Sequence, residues 1–323
     1  MCTAINFNAQ GHYFGRTLDL EKRFGECVTI TPRNYEFKFK SGDVVQGHHA
    51  IIGMAAIVDD YPLYFDATNE RGLSISGLNF VGNAYYGERV NGKINLAPYE
   101  LIPYLLAKYE SVDECAKALK EINLVDTKFN ENLENGQLHW LISDKNKSIV
   151  VENMRDGMKI HQNSIGVLTN NPPFEYQMMN LNNYIGLSNI DPQNTFSDKV
   201  NLQIYSRGMG ALGLPGDFSS TSRFVKVAFT KLNSVIPADE ISSVSQFFHI
   251  LGAVEQVEGC VIFGGKFERT QYMSCCNTER GIYYYKTYEN SQINAIDMYR
   301  ENLDSQELIC YDLIFSENIN FIN

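Results

Sequence analysis

The chain has 323 residues, 44 % of them hydrophobic and 20 % charged, enough apolar material for a substantial core in one large domain or two. A formal charge of −11 with no Lys/Arg cluster excludes a nucleic-acid binder, which needs a basic footprint. No run of about 18 apolar residues occurs and residues 1–20 carry no secretion-signal pattern, so no membrane span is expected and the cytoplasm is the expected location.

In chain order, Thr3–Asn8 alternates apolar and polar residues and reads as a strand; a turn at Asn8–Gly11 leads to a second strand at His12–Asp19, together an N-terminal hairpin. Further strands are expected at Cys27–Thr31, Leu63–Asp66 and Leu73–Phe80. Pro98 suits the first turn of a helix over Tyr99–Tyr109, although Pro103 should kink or split it. Ser111-Val112-Asp113-Glu114 is a capping-box pattern, and Cys115, Leu119 and Ile122 continue an apolar helix face. Strands return at Leu138–Ile142 and Ser148–Val151 around the turn Ser143–Lys147, then at Ile165–Thr169. Helices follow at Ser222–Leu232 and Ser242–Leu251, and strands at Ile282–Thr287 and Ile293–Met298. The order lacks βαβ alternation and predicts an α+β fold with antiparallel sheets between helix layers, in a single domain over 1–323. Leu187–Asp217 has no clear periodicity and reads as an arm that packs on another subunit.

Seven cysteines at scattered spacing, with no C-x-x-C, argue against a disulfide framework or a zinc site. Cys275-Cys276 reads as two ordinary thiols on a strand. Gly208-Met209-Gly210-Ala211-Leu212-Gly213 fits a dinucleotide fingerprint, but Pro215 and Gly216 follow at once and no phosphate-binding helix can begin there. His48-His49 reads as a surface pair, Asp59-Asp60 as a solvated turn, and His249 as a satisfied core histidine on an apolar helix face.

Cys2 stands apart. A small residue after Met1 permits methionine removal, which leaves one residue with a thiol and a free α-amine. Such an amine titrates near neutrality, at about 7.7–8.0, and can serve as a built-in general base, so no histidine is needed. The hairpin brings Arg16 and Asp19 near the start of the first strand. Arg16 would stabilise the thiolate and Asp19 would orient the amine. Because the two lie three residues apart, a bulge or the strand end must turn one of them inward; a surface ion pair is the plainer alternative.

Met1-Cys2-Thr3-Ala4-Ile5 followed by Phe14-Gly15-Arg16-Thr17-Leu18-Asp19 resembles the start of the choloylglycine hydrolases, the bile salt hydrolases and penicillin V acylases. Asn69-Glu70-Arg71-Gly72-Leu73, Gly77-Leu78-Asn79-Phe80, Leu138-His139-Trp140, Leu168-Thr169-Asn170-Asn171-Pro172, Gly213-Leu214-Pro215-Gly216-Asp217, Ser222-Arg223-Phe224 and Tyr288–Ile293 extend the likeness over nearly the whole chain. The resemblance implies a four-layer αββα sandwich of the N-terminal-nucleophile hydrolase type, no cofactor or metal, and a homotetramer. It implies a catalytic set of Cys2, Arg16, Asp19, Asn79, Asn170 and Arg223, with Cys2 as nucleophile and Asn170, assisted by Asn79, on the oxyanion. Penicillin V acylases of the family tend to carry Tyr at the position of Asn79, so the resemblance favours amide bonds of glycine- or taurine-conjugated bile salts. Leu18, Phe24, Ile57, Phe65, Asn79 and Leu133 are the implied substrate contacts; each apolar one could instead be ordinary core. The rival readings are a penicillin V acylase or other N-acyl amidase, an acyltransferase, and a non-catalytic oligomeric binding protein. Thr17 stands where the family has Asn, the loop 130–137 is unusually polar, and 260–269 matches relatives poorly.

Overall fold

The computed structural model describes residues 1–323. The hairpin forms as the alternation predicts: β1 (Cys2–Asn8) pairs antiparallel with β2 (His12–Leu20) in unbroken register from Cys2↔Leu18 to Asn8↔His12. β3 (Glu26–Thr31) follows, then a small antiparallel pair, β4 (Phe37–Lys38) and β5 (Val44–Val45). β6 (Ile51–Val58), β7 (Tyr61–Asn69) and β8 (Ser74–Asn79) form a meander. Asp59 and Asp60 make its first turn, both exposed and both with positive φ, a conformation acidic turn residues tolerate. Asn69 closes the second: its side-chain oxygen accepts the Arg71 and Leu73 amides.

Short β9 (Ile94–Leu96) precedes a 3-10 turn at Pro98–Glu100 and helix α1 (Leu101–Lys108). The expected helix is thus split, and Pro103 falls in the first turn of α1, where its missing N–H has no intrahelical partner to lose. Ser111 caps α2 (Val112–Ala118), but that helix ends before Ile122, which lies in β10 (Ile122–Leu124) paired with β9. β11 (Leu138–Ser143), β12 (Ser148–Met154), β13 (Gly157–Gln162), β14 (Val167–Leu168), α3 (Phe174–Leu181), α4 (Ser220–Asn233) and α5 (Glu240–Gly252) come next. The last part holds β15 (Val261–Phe263), β16 (Lys266–Asn277), β17 (Ile282–Thr287), β18 (Asn290–Asp297) and β19 (Ile309–Asp312).

Two antiparallel sheets result. One runs β14-β1-β2-β16-β17-β18, with β15 hairpinned onto β16; the other runs β13-β12-β11-β8-β7-β6-β3-β19. Helix α1 packs on β7 and β8, while α4 and α5 pack on β1, β2, β14 and β16, which gives the αββα order. Alternation along the strands feeds two cores. Leu141 and Val150 face one, between the sheets; Trp140, Ile142, Ile149 and Val151 face the other, beneath α1. A strand buried on both faces reads as a continuous apolar run, which is why β11 is legible in sequence without being amphipathic. Gly15 permits the closest strand approach, since a Cβ there would lie 2.0 Å from the Ser274 carbonyl.

Several expectations fail. Cys27 and Cys310 form a disulfide between β3 and β19, a contact across 283 residues that cysteine spacing does not reveal. His48 is buried, its ring bonded to the Tyr35 and His49 carbonyls, because its segment packs under the Tyr35–Phe39 aromatics. His249 is exposed: it follows Phe247 and Phe248, which take the buried face of α5. Other readings hold: Cys275 and Cys276 are buried thiols on strand β16, and Gly208 and Gly213 are positive-φ turn residues.

Candidate active site

Cys2 begins β1, which lies between β14 and β2 in the first sheet. Cross-strand partners share a face, so its side chain lies on the side of Leu18 and Arg16, toward the second sheet. Arg16 spans the gap between sheets: Nη1 donates to the carbonyls of Gly77 (2.5 Å) and Phe65 (3.1 Å), and Nε donates to the Thr17 carbonyl (3.1 Å). Nη2 carries no hydrogen bond. Burial alone would lower this guanidinium; the Cys2 thiol, Tyr272, Asp66 and Asp19 around it outweigh burial and hold it above its ordinary value.

Asp19 points to the opposite face, so no bulge in β2 brings it beside Arg16. Its carboxylate accepts from Thr17 Oγ1 (2.9 Å) and Thr270 Oγ1 (2.7 Å) and lies 4.0 Å from Arg223 on α4. The register shift sits across the sheet, in β16 between Thr270 and Tyr272. Thr17 also accepts the Thr3 amide, at 3.2 Å, and so joins the nucleophile strand to Asp19.

The group on the Cys2 nitrogen is Asn170 rather than Asp19. Its Oδ1 accepts from the Cys2 backbone N at 2.7 Å and from Arg223 Nη2 at 2.8 Å. A guanidinium only donates, so this oxygen assignment is fixed and Nδ2 must face the other way. One Nδ2 hydrogen goes to the Asn79 carbonyl at 2.8 Å; the second has no partner in the protein. Arg223 Nη1 holds the Cys2 carbonyl and Thr3 Oγ1, both at 2.6 Å. Burial lowers Arg223, with Asp19, Cys2 and Glu268 opposing. The Met1 ammonium is bound by the Asp19 carbonyl and the Glu268 carboxylate, and with Met1 present Cys2 is only 2 % exposed.

Of the implied substrate contacts, Leu18 is buried against Cys2 and belongs to the inter-sheet core. Phe24 is exposed and its ring lies 5.8 Å from that of Phe65. Ile57 packs on the second core, Leu133 sits half-buried on the 130–137 loop, and the Asn79 side chain makes no hydrogen bond. Asp66 was not singled out in the sequence. It is buried beside Arg16 and accepts from Tyr272 (2.8 Å), Tyr283 (2.7 Å) and Ser274 (3.0 Å). Burial raises its carboxyl, against Arg16 and the three hydroxyls. The signal was present: a lone acid inside the apolar run Tyr61–Ala67 needs buried partners.

The family described as linear amide C-N hydrolases, choloylglycine hydrolase family, matches residues 2–311. The chain belongs to the choloylglycine hydrolase family. It is an enzyme of that kind, a hydrolase of linear amide carbon–nitrogen bonds. It is 55 % identical to a bile salt hydrolase/transferase of Lactiplantibacillus plantarum over 97 % of each chain, and 43 % identical to one of Clostridium perfringens over the full length of both. A mutant of the conjugated bile acid hydrolase from Clostridium perfringens superposes with a TM-score of 0.93 at 40 % identity over both whole chains. Penicillin V acylase from Agrobacterium tumefaciens shares the fold, with a TM-score of 0.76 at 18 % identity over 98 % of this chain and 95 % of that one. No helix is long and apolar enough to cross a membrane.

Proposed function

We propose that the mature enzyme, freed of Met1, hydrolyses the amide bond of glycine- or taurine-conjugated bile salts with Cys2 as nucleophile. The Cys2 sulfur, beside the cationic Arg16, attacks the amide carbonyl. The developing oxyanion takes the unpaired Nδ2–H of Asn170, the single observation that most favours this reading. Asn79 assists through its free amide. The α-amine of Cys2, seated on Asn170 Oδ1, collects the thiol proton and delivers it to the departing glycine or taurine nitrogen. Water then attacks the thioester and releases the bile acid. Asp19 and Arg223 act behind this line, fixing Thr17, Thr3 and the Cys2 carbonyl.

The steroid is read as lying against Leu18, Phe24, Ile57, Phe65 and Leu133, with the Phe24–Phe65 pair as its most accessible part. An amine that reaches the thioester before water would turn the same intermediate into a transfer product; the names of the relatives favour that second outcome as a side activity. The whole chain serves as one amidase unit in the cytoplasm, and 187–217 as the arm of a homotetramer. Turnover of glycocholate, taurocholate and penicillin V by one preparation tests the substrate. Higher kcat/KM for the bile salts is expected; a preference for penicillin V would overturn it.

A further inference from the structure

Asn170 is held at its own backbone by two side chains: Ser220 Oγ accepts its N–H at 2.8 Å and Gln177 Nε2 donates to its carbonyl at 3.3 Å. Between Asn171 and Phe174 stand Pro172 and Pro173, neither of which has an N–H, and β14 ends at Leu168. The flanks of this segment are tied down at the Thr169 carbonyl on one side and the Phe174 amide on the other. Both lead to one buried carboxylate. Glu152 Oε1 accepts the Phe174 N–H at 2.9 Å and meets His139 Nδ1 at 3.1 Å, while His139 Nε2 lies 2.9 Å from the Thr169 carbonyl. A carbonyl only accepts, so Nε2 carries a hydrogen; one proton then lies between Nδ1 and Oε1. Both residues are fully buried, and Phe80, the neighbour of Asn79, stacks on the His139 ring at 4.3 Å and 6°. His161 stands 3.5 Å from the other carboxylate oxygen and 3.8 Å from Glu175, with no hydrogen bond to either. Neither Glu152 nor His139 bonds Cys2, Arg16, Asp19 or Arg223.

We propose that Glu152 and His139 form a positioning pair that fixes both flanks of the Thr169–Phe174 segment and thereby aims the Asn170 amide at the reacting carbonyl. The inference rests on the oxyanion role given to Asn170 above. Oxyanion donors must be held to within a fraction of an ångström, so slack in this segment reduces transition-state stabilisation more than substrate binding. No orientation of a glutamine amide at 152 serves both the Phe174 N–H and a neutral His139, so Glu152→Gln loosens one flank. His139→Leu loosens the other, and His139→Gln restores a donor within reach of the Thr169 carbonyl.

The experiment measures kcat and KM for glycocholate and the rate of Cys2 alkylation in these three variants and in Asn170→Ala, after thermal melts show which are folded. Glu152→Gln and His139→Leu are expected to lower kcat by about 10–100-fold with KM within about threefold, a loss typical of misplaced catalytic groups. Cys2 alkylation should hold its rate, and His139→Gln should recover most of the lost kcat. Unchanged kcat, a loss confined to KM, or slowed alkylation would overturn the pair's role. Should Glu152→Gln fail to fold, the contrast between His139→Leu and His139→Gln decides alone. An active Asn170→Ala would instead overturn the oxyanion reading on which the pair depends.

Discussion

Asn170 serves four groups with one side-chain amide: its oxygen is bound by the Cys2 nitrogen and by Arg223, and its nitrogen by Asn79 while leaving one hydrogen for a ligand. Removing it in Asn170→Ala should lower kcat by about 10²–10³-fold, the usual cost of an oxyanion donor, as steady-state kinetics will show. Asp66 acts from the other side. Its charge draws on Arg16, which faces Cys2, so Asp66→Asn should leave the guanidinium less neutralised and the thiolate easier to form. Iodoacetamide labelling against pH should then show its midpoint moved to lower pH; an upward move would contradict the arrangement. At this scale Cys2, Arg16, Asn170 and Arg223 were legible because motifs carry them. The facing of Arg16 and Asp19 was not, since strand alternation places them on opposite faces and the connection between them runs through Thr17, Thr270 and α4.

Among the elements, the hairpin, β7 and β8, α4 and α5 follow from periodicity and turn chemistry, whereas β6 was not expected although Ile51–Val58 is a near-continuous apolar run. Of β16 only the end at Cys275-Cys276 was read as strand, because its first half, Lys266–Gln271, is polar: Thr270 bonds Asp19 and Gln271 bonds Leu20 rather than packing as apolar strand residues do. β2 and β16 meet at Gly15, where any Cβ collides with the Ser274 backbone. Gly15→Ala should cost about 1–3 kcal/mol, as overpacking does, read as a shift in the urea midpoint. His12, at the start of β2, joins the two sheets through Thr278 and Ser143. Burial lowers its pKa from 6.5 to about 4, with Asp144 opposing and Lys231 adding. The unfolded chain therefore binds a proton that the folded one refuses between those values, and stability falls as pH falls from about 6.5 to about 4. The window amounts to at most about 3 kcal/mol. Denaturant titrations of His12→Gln should show a shallower loss over that range than the parent.

At the scale of the whole molecule, element order foretold the layers but not how the chain ends close the sheets. β19 returns to the edge strand β3 from 283 residues away, and the Cys27–Cys310 bond lies across that closure. The segment 187–217 contains only one short 3-10 turn and exposes Ile190, Phe196, Leu202, Tyr205 and Leu212. Such apolar exposure in a polar chain suits burial against a second copy. Replacing Phe196 and Leu212 with Asp should shift light scattering toward smaller species at unchanged thermal stability of the subunit; an unaltered mass would remove the arm from the interface.

The most direct measurement is the intact mass of active enzyme before and after thiol alkylation, taken alongside amidase activity. The expected result is a chain lighter by one methionine, labelled at Cys2 in step with loss of activity, and an inactive Cys2→Ala variant. A chain that retains Met1 and hydrolyses conjugated bile salts at full rate, or one alkylated at Cys2 without losing activity, would contradict the pairing of thiol and amine on one residue.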